Sequence, residues 1–144
     1  MNTTPPRHSV SVSGVIPDDH GRVLLIRRRD NQHWEPPGGV LELAETIPDG
    51  LRREVREETG LDIEPDALTG VYKNMPRGII ALVFRCKITG GHLTPNDEVT
   101  AFRWASEADI HQLTREAYAV RLLDGLREGS AAAIRQHDGT ELFG

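Results

Sequence analysis

Three glutamates, Glu54, Glu57 and Glu58, lie in the stretch Gly38 to Leu61, which reads GGVLELAETIPDGLRREVREETGL. On a helix of 3.6 residues per turn, positions i, i+3 and i+4 share one face. Three carboxylates so placed repel one another and disfavour the helix by a few tenths of a kcal/mol per pair. A sequence built only for stability would alternate Lys or Arg there. A divalent cation removes the conflict, because Mg²⁺ prefers carboxylate and water oxygens and keeps positions open for substrate phosphates. Bound there, it could neutralise a diphosphate, polarise phosphorus and help ionise a water nucleophile. The loop Pro37-Gly38-Gly39 precedes the helix and allows close backbone approach, so a carbonyl at Gly39 could complete the metal shell.

An acidic helix face standing alone is most often a solvated surface. Here it comes with fixed partners: Gly39, Glu45, Arg53, Glu54, Val55, Glu57, Glu58, Gly60 and Leu61 fill, without gap or substitution, the pattern Gly, five residues, Glu, seven residues, Arg-Glu-apolar-any-Glu-Glu-any-Gly-apolar. The stretch resembles the Nudix box, the signature of hydrolases acting on nucleoside diphosphates linked to another moiety.

That resemblance implies an α/β/α sandwich, an α/β (α+β) class fold in which a central mixed β-sheet is flanked by helices and the box forms a loop-helix-loop. It implies Mg²⁺, with Mn²⁺ as a substitute, held by Glu54, Glu57, Glu58 and the Gly39 carbonyl. One of these glutamates, or one from a distant loop, acts as general base. Arg53, which otherwise reads as a surface ion-pair residue, is expected to pair with Glu45 and steady the carboxylates. Glu98, in NDEVTAFRW, is the candidate extra ligand or base; its bland alternative is a turn carboxylate. Two positions depart from common family usage, Ala44 for Gly and Gly50 for Ala. Gly50 costs about 1 kcal/mol against Ala inside a helix and could serve close packing of the helix on the sheet. Ala44 matters only if its position needs positive φ.

Candidate substrate contacts are Arg27 in the run Arg27-Arg28-Arg29, Trp34 beside the PPGG loop, and Tyr72, Lys73 and Arg77 after the box. The three arginines alternate across a strand, so at most two can face a cleft and meet phosphates; their plainer reading is edge-strand solubility, and that of Trp34 is packing. Pro76 lies 15 residues beyond Leu61, near where a proline accompanies ADP-ribose hydrolases of this family. The six His residues show no metal-ligand spacing, and Cys86 reads as a buried structural thiol.

The elements that must hold these groups follow from periodicity and punctuation. Residues 1–8 are a polar, Pro-containing leader, and residues 9–144 read as one domain. Ser9 to Ile16 alternates as a half-buried strand, with Val10, Val12 and Ile16 pointing one way. Asp18 to Gly21 turn the chain, and Arg22 to Arg29 return as a second strand, predicting a hairpin. Asn31 to Gly39 is expected to be an irregular loop. Thr46 caps the box helix, with Asp49 three residues on and Pro48 in the first turn; Gly60 ends it; Ile47, Leu51 and Val55 form its buried stripe. Val71 to Asn74, Ile79 to Ile88 and Val99 to Trp104 are strands, with turns at Met75 to Gly78, Gly90-Gly91 and Pro95 to Asp97. A helical turn is expected over residues 106–111. Thr114 to Glu128 is a second amphipathic helix, its inner face Ala117, Val120, Leu122 or Leu123, and Leu126. The tail, Ala131 to Gly144, has Asp138-Gly139 between short apolar stretches and could form a late hairpin.

The chain has 144 residues, with Lys+Arg 17 against Asp+Glu 22 and a formal charge of -5. This is the composition of one soluble domain. The acidic balance argues against non-specific nucleic-acid or membrane binding. A single Cys and no signal-like or spanning segment point to the cytoplasm. The expected activity is Mg²⁺-dependent hydrolysis of a phosphoanhydride in a nucleoside di- or triphosphate derivative, or in an ADP-ribose-like nucleotide sugar. The rival of another class is a nucleotide-sensing domain that binds without hydrolysis; a purely structural α/β domain is a third. The partner is thus a nucleotide or nucleoside-diphosphate-linked small molecule, and the final helix and tail could support a homodimer.

Overall fold

β1 (Ser9–Val15) is covered on both sides, which explains why half-alternation gives way to continuous burial from Val12 onward. Val12 and Ile16 enter one apolar cluster, while Val15 enters another on the opposite side. The computed structural model describes residues 4–129 and 131–143. The first three residues of the expected leader lie outside that range; residues 4–8 are exposed and outside the regular elements.

Two sheets form the centre. One has five strands in the order β4-β1-β6-β5-β8, using β4 (Gly38–Val40), β5 (Leu61–Asn74), β6 (Ile79–Gly91) and β8 (Ala133–His137). The other has three, β3-β2-β7, using β2 (Val23–Arg28), β3 (Trp34–Glu35) and β7 (Val99–Ala105). The five-stranded sheet is mixed, since β1 runs parallel to β6 and β8 parallel to β5. Helix α1 (Ile47–Thr59) places Leu51 and Val55 against Val12, Ile16, Leu24 and Cys86. Helices α2 (Glu107–Leu113) and α3 (Glu116–Leu126) place Ile110, Ala119 and Leu122 against Val15, Leu25 and Val83 in the other cluster. The sandwich holds, with its sheet in two parts.

Several local expectations need correction. β1 and β2 do not form a hairpin ladder: β4 and β6 take both edges of β1, and the turn is joined by a Pro17–Val23 bridge, a Leu24 N–H to Ile16 C=O bond and an Asp18 N–H to Arg22 C=O bond. The loop over residues 31–39 contains two short strands, since Trp34 and Glu35 pair with Arg27 and Ile26, and Gly38 to Val40 pair with β1. β5 begins ten residues before the expected Val71, at Leu61. Pro65, Asp66 and Gly70 read as breakers, but register shifts beside them absorb the misfit. Gly90 and Gly91 are not a turn; they pair with Asp62 and Leu61 at the end of β6.

On α1, Ile47 is exposed rather than part of the stripe. On α3 the buried residues include Ala117, Arg121, Leu122, Asp124 and Gly125, while Val120, Leu123 and Leu126 are only half-buried. The Asp124 carboxylate draws the helix inward, accepting from Tyr72 Oη at 2.7 Å and from Arg135 at 2.8 and 2.7 Å. The tail does turn, with Asp138 N–H donating to Glu141 C=O and His137 bridging to Leu142.

Candidate active site

The capping residues of α1 set its position. Thr46 Oγ1 accepts from Asp49 N–H at 3.2 Å, Pro48 sits in the first turn, and Gly60 closes the helix at φ 81°. With Leu51 and Val55 anchored in the core, the Glu54 and Glu58 carboxylates lie against β4. Gly39, paired with Val12, allows β4 to approach so closely that a Cβ there would stand 2.5 Å from the Glu54 carboxylate. Glu58 is 5% exposed, and its Oε1 accepts from Gly38 N–H at 2.8 Å.

Arg53 is the hub. Its Nε donates to Glu45 Oε2 at 2.6 Å and its Nη2 to Glu45 Oε1 at 2.8 Å, the bidentate geometry that suits a planar fork. Nη1 reaches Glu54 Oε1 at 3.0 Å and Glu57 Oε2 at 3.3 Å; Nη2 also reaches the Val40 carbonyl. The guanidinium therefore ties the loop before the helix to its acidic face. Its hydrogen bonds, with one from Glu42 N–H, hold Glu45 down to about 2. Gly50 serves this loop rather than the sheet: a Cβ there would stand 2.4 Å from Leu41 Cδ1 and 3.2 Å from Glu45 Oε1. Ala44 is exposed and has no positive φ.

Glu54 and Glu58 face a cleft of about 540 Å³, together with Glu98, Asp97, Arg28 and Arg29. Burial raises the Glu58 carboxyl to about 8, and the neighbouring charges of Glu54, Glu35 and Glu98 add to the effect of burial. Glu54 is raised for the same reasons, against the pull of Arg53. Glu57 shares the backbone face but not the cleft, for its carboxylate is more than half exposed and lines a neighbouring groove with Arg52 and Arg56. Among the described residues, no three acidic, His or Cys side chains gather into a ready-made metal cage. Arg53 occupies Glu54 and Glu57, and the Gly38 amide holds Glu58. The donor set still fits a hard dication: the carboxylate oxygens of Glu54 and Glu58 share one cleft, where burial and then mutual repulsion raise their proton affinity.

The five expected substrate contacts do not line this cleft. Arg27 donates to the Gln32 carbonyl; a register shift after it leaves Arg28 and Arg29 at the cleft instead. Trp34 packs on the core, and Tyr72 is fully buried with its hydroxyl bonded to Asp124. Lys73 and Arg77 lie outside both the cleft and its neighbouring cavity, at the end of β5 and in the turn beyond it. Two of the three arginines of the run, Arg28 and Arg29, do face the cleft; Asp97 was missed, as were Ser13 and Arg121 in that adjoining cavity. Only Arg121 left a signal, a charge on the apolar i, i+4, i+8 line Ala117-Arg121-Gly125. Cys86 is buried as expected, its thiol pushed up to about 12 by burial.

The family model described as NUDIX domain matches residues 7–124. A MutT-like protein of Streptomyces ambofaciens is 54% identical over 98% of this chain and 91% of its own length. An ADP-ribose pyrophosphatase of Methanocaldococcus jannaschii is 35% identical over 76% of this chain and 67% of its own. Among solved structures, an ADP-ribose pyrophosphatase from Streptococcus suis superposes with a TM-score of 0.76, covering 89% of this chain and 99% of its own at 24% identity.

Proposed function

The chain belongs to the NUDIX domain family, and on that premise we propose that it is a metal-assisted pyrophosphohydrolase cleaving a phosphoanhydride of a nucleoside di- or triphosphate derivative by water attack on phosphorus. The observation that carries this reading is the cleft where Glu54 and Glu58 face Glu98, with Gly39 against Glu54 and Arg53 clamping Glu45.

Glu54, Glu58 and the Gly39 carbonyl would hold Mg²⁺, with Glu57 joining once it leaves Arg53; Glu98 is the further ligand or base. When bound, the dication supplies charge neutralisation on the diphosphate and acidifies water. Arg53 fixes the loop and helix relative to one another, so Glu54 and Glu58 meet the substrate in place. Glu98, exposed at the cleft, takes the proton from the attacking water. Arg28 is spent on Asp30 and Glu35, whereas Arg29, whose Nε reaches the Asp97 carbonyl, brings positive charge to the phosphates. No helix among the described residues is long and apolar enough to cross a membrane; the lone buried thiol supports a cytoplasmic setting.

The test is a panel of nucleoside triphosphates and ADP-ribose with Mg²⁺, scored for phosphate or pyrophosphate release with and without alkaline phosphatase. Hydrolysis that falls ~10²-fold or more in Glu54→Gln and Glu58→Gln supports the reading. Binding without release would assign a sensing domain instead.

A further inference from the structure

A second cavity of about 210 Å³ adjoins the carboxylate cleft, sharing Arg28, Gly38, Gly39 and Val40 with it. Arg121 lines its wall, although it is 8% exposed. The guanidinium lies 4.7 Å from the Tyr118 ring centroid and 5.3 Å from that of Tyr72, which steadies a cation but supplies no acceptor. Its Nη2 is 3.1 Å from His137 Nε2. A neutral imidazole has one acceptor nitrogen, and Gly139 N–H donates to His137 Nδ1, so the ring cannot accept from both Gly139 and Arg121. Arg121 Nε is buried and has no partner. Glu35, whose charge reaches Arg121, is held by Arg28 Nη1 at 3.2 Å. In the same cavity Ser13 Oγ is also buried and unpartnered.

Buried polar atoms without partners are rare in native proteins, and a buried cation without one is costlier still. Two of them in one cavity beside a reaction cleft specify a ligand with hydrogen-bond acceptors. The rest of the wall is mixed, with Val12, Pro36, Ile79 and the Tyr118 ring beside Ser9, Ser11, Asn74 and the Glu35 carboxylate. That carboxylate and the apolar surfaces disfavour a phosphate there. The volume is below the ~300 Å³ where sites for drug-sized ligands begin, so it takes one ring system.

We infer that Arg121 and Ser13 form the subsite for the base of the nucleotide and read a ring carbonyl on it, selecting oxo bases over their amino counterparts. This rests on the reading of the chain as a nucleotide hydrolase. Guanine, hypoxanthine and uracil present a carbonyl oxygen where adenine and cytosine present an amine. An exocyclic amine offers the guanidinium no acceptor and leaves it unpaired; only the Ser13 hydroxyl, which accepts as well as donates, can pair with such a group. The selection runs opposite to the adenine carried by ADP-ribose, the substrate named for the Methanocaldococcus relative.

The experiment is calorimetric binding of inosine and adenosine 5′-monophosphates to the full chain in chelator, which separates base recognition from metal and turnover. Wild type is expected to bind the inosine nucleotide ~10-fold or more tightly than the adenosine one. Arg121→Met brings the ratio to near one. Ser13→Ala removes only an unpartnered hydroxyl, so the fold is kept while inosine-nucleotide binding weakens; it carries the test if Arg121→Met fails to fold. Equal binding of the two nucleotides by wild type overturns the inference, as does a ratio unchanged in both variants. So does binding of neither by a protein that hydrolyses nucleotides, and the hydrolase reading then stands. Absence of hydrolysis across the nucleotide panel defeats the hydrolase reading itself.

Discussion

Glu58→Gln should make the metal-free chain more stable in mild alkali and not in mild acid. The Glu58 carboxyl is buried against Gly38 and raised from its ordinary 4.5 to about 8. Between those values the folded state binds a proton that the unfolded chain releases, so stability falls as pH rises from 4.5 to about 8 and levels off above. The full shift corresponds to at most ~5 kcal/mol. Water in the open cleft reduces that ceiling, and a net gain of ~1–3 kcal/mol for Gln at pH 8.5 is expected. Gln keeps an oxygen for the Gly38 amide and removes only the charge. Urea unfolding in chelator at pH 5 and pH 8.5 measures it: the two chains should nearly coincide at the lower pH and separate at the higher. Adding Mg²⁺ at pH 8.5 should reverse the order, stabilising wild type and leaving the variant nearly unmoved. A stability difference independent of pH would refute the claim that burial and neighbouring carboxylates load this group.

Gly39→Ala forces a methyl into the Glu54 carboxylate; kcat/KM should fall ~10²-fold with an unchanged circular dichroism spectrum. Arg53→Met removes the bidentate pairing with Glu45 and the contacts to Glu54 and Glu57, and should cost ~1–3 kcal/mol in urea unfolding as well as most of the turnover. Asp124→Asn weakens a buried network in which the Arg135 and Tyr72 hydrogen bonds outweigh burial and hold the carboxyl low. The loss should be ~2–3 kcal/mol at pH 7. That stability is present above the unfolded value of 3.8 and lost as pH falls through the lower folded one, so the two proteins should converge in acid denaturation.

The box was legible because its chemistry is local. Thr46, Pro48 and Gly60 bound the helix, and the Arg53–Glu45 pair spans eight residues that a loop end and the first two helical turns bring together. Glu98 was also placed in the cleft by its position before β7. What failed depended on partners far away in sequence. The β1–β2 turn looks like a hairpin until β4 and β6 claim β1; Pro65 looks like a breaker until bulges accommodate it. Tyr72 and Trp34 looked like substrate contacts because aromatic residues suit either a base or a core, and only tertiary burial decides. Arg121 was missed because a charge within an apolar stripe reads as noise unless the cavity beside it is known.

The parallel pairing of β1 with β6 has a consequence for the order of folding. Ser9 must wait for Ile79 before the central ladder can begin, so the whole acidic helix lies inside the loop which that pairing closes. During synthesis the carboxylate face emerges before the strand that completes its support. Such non-local closure slows refolding relative to a helical bundle of this size, whereas the β5–β6 hairpin closes across a short turn.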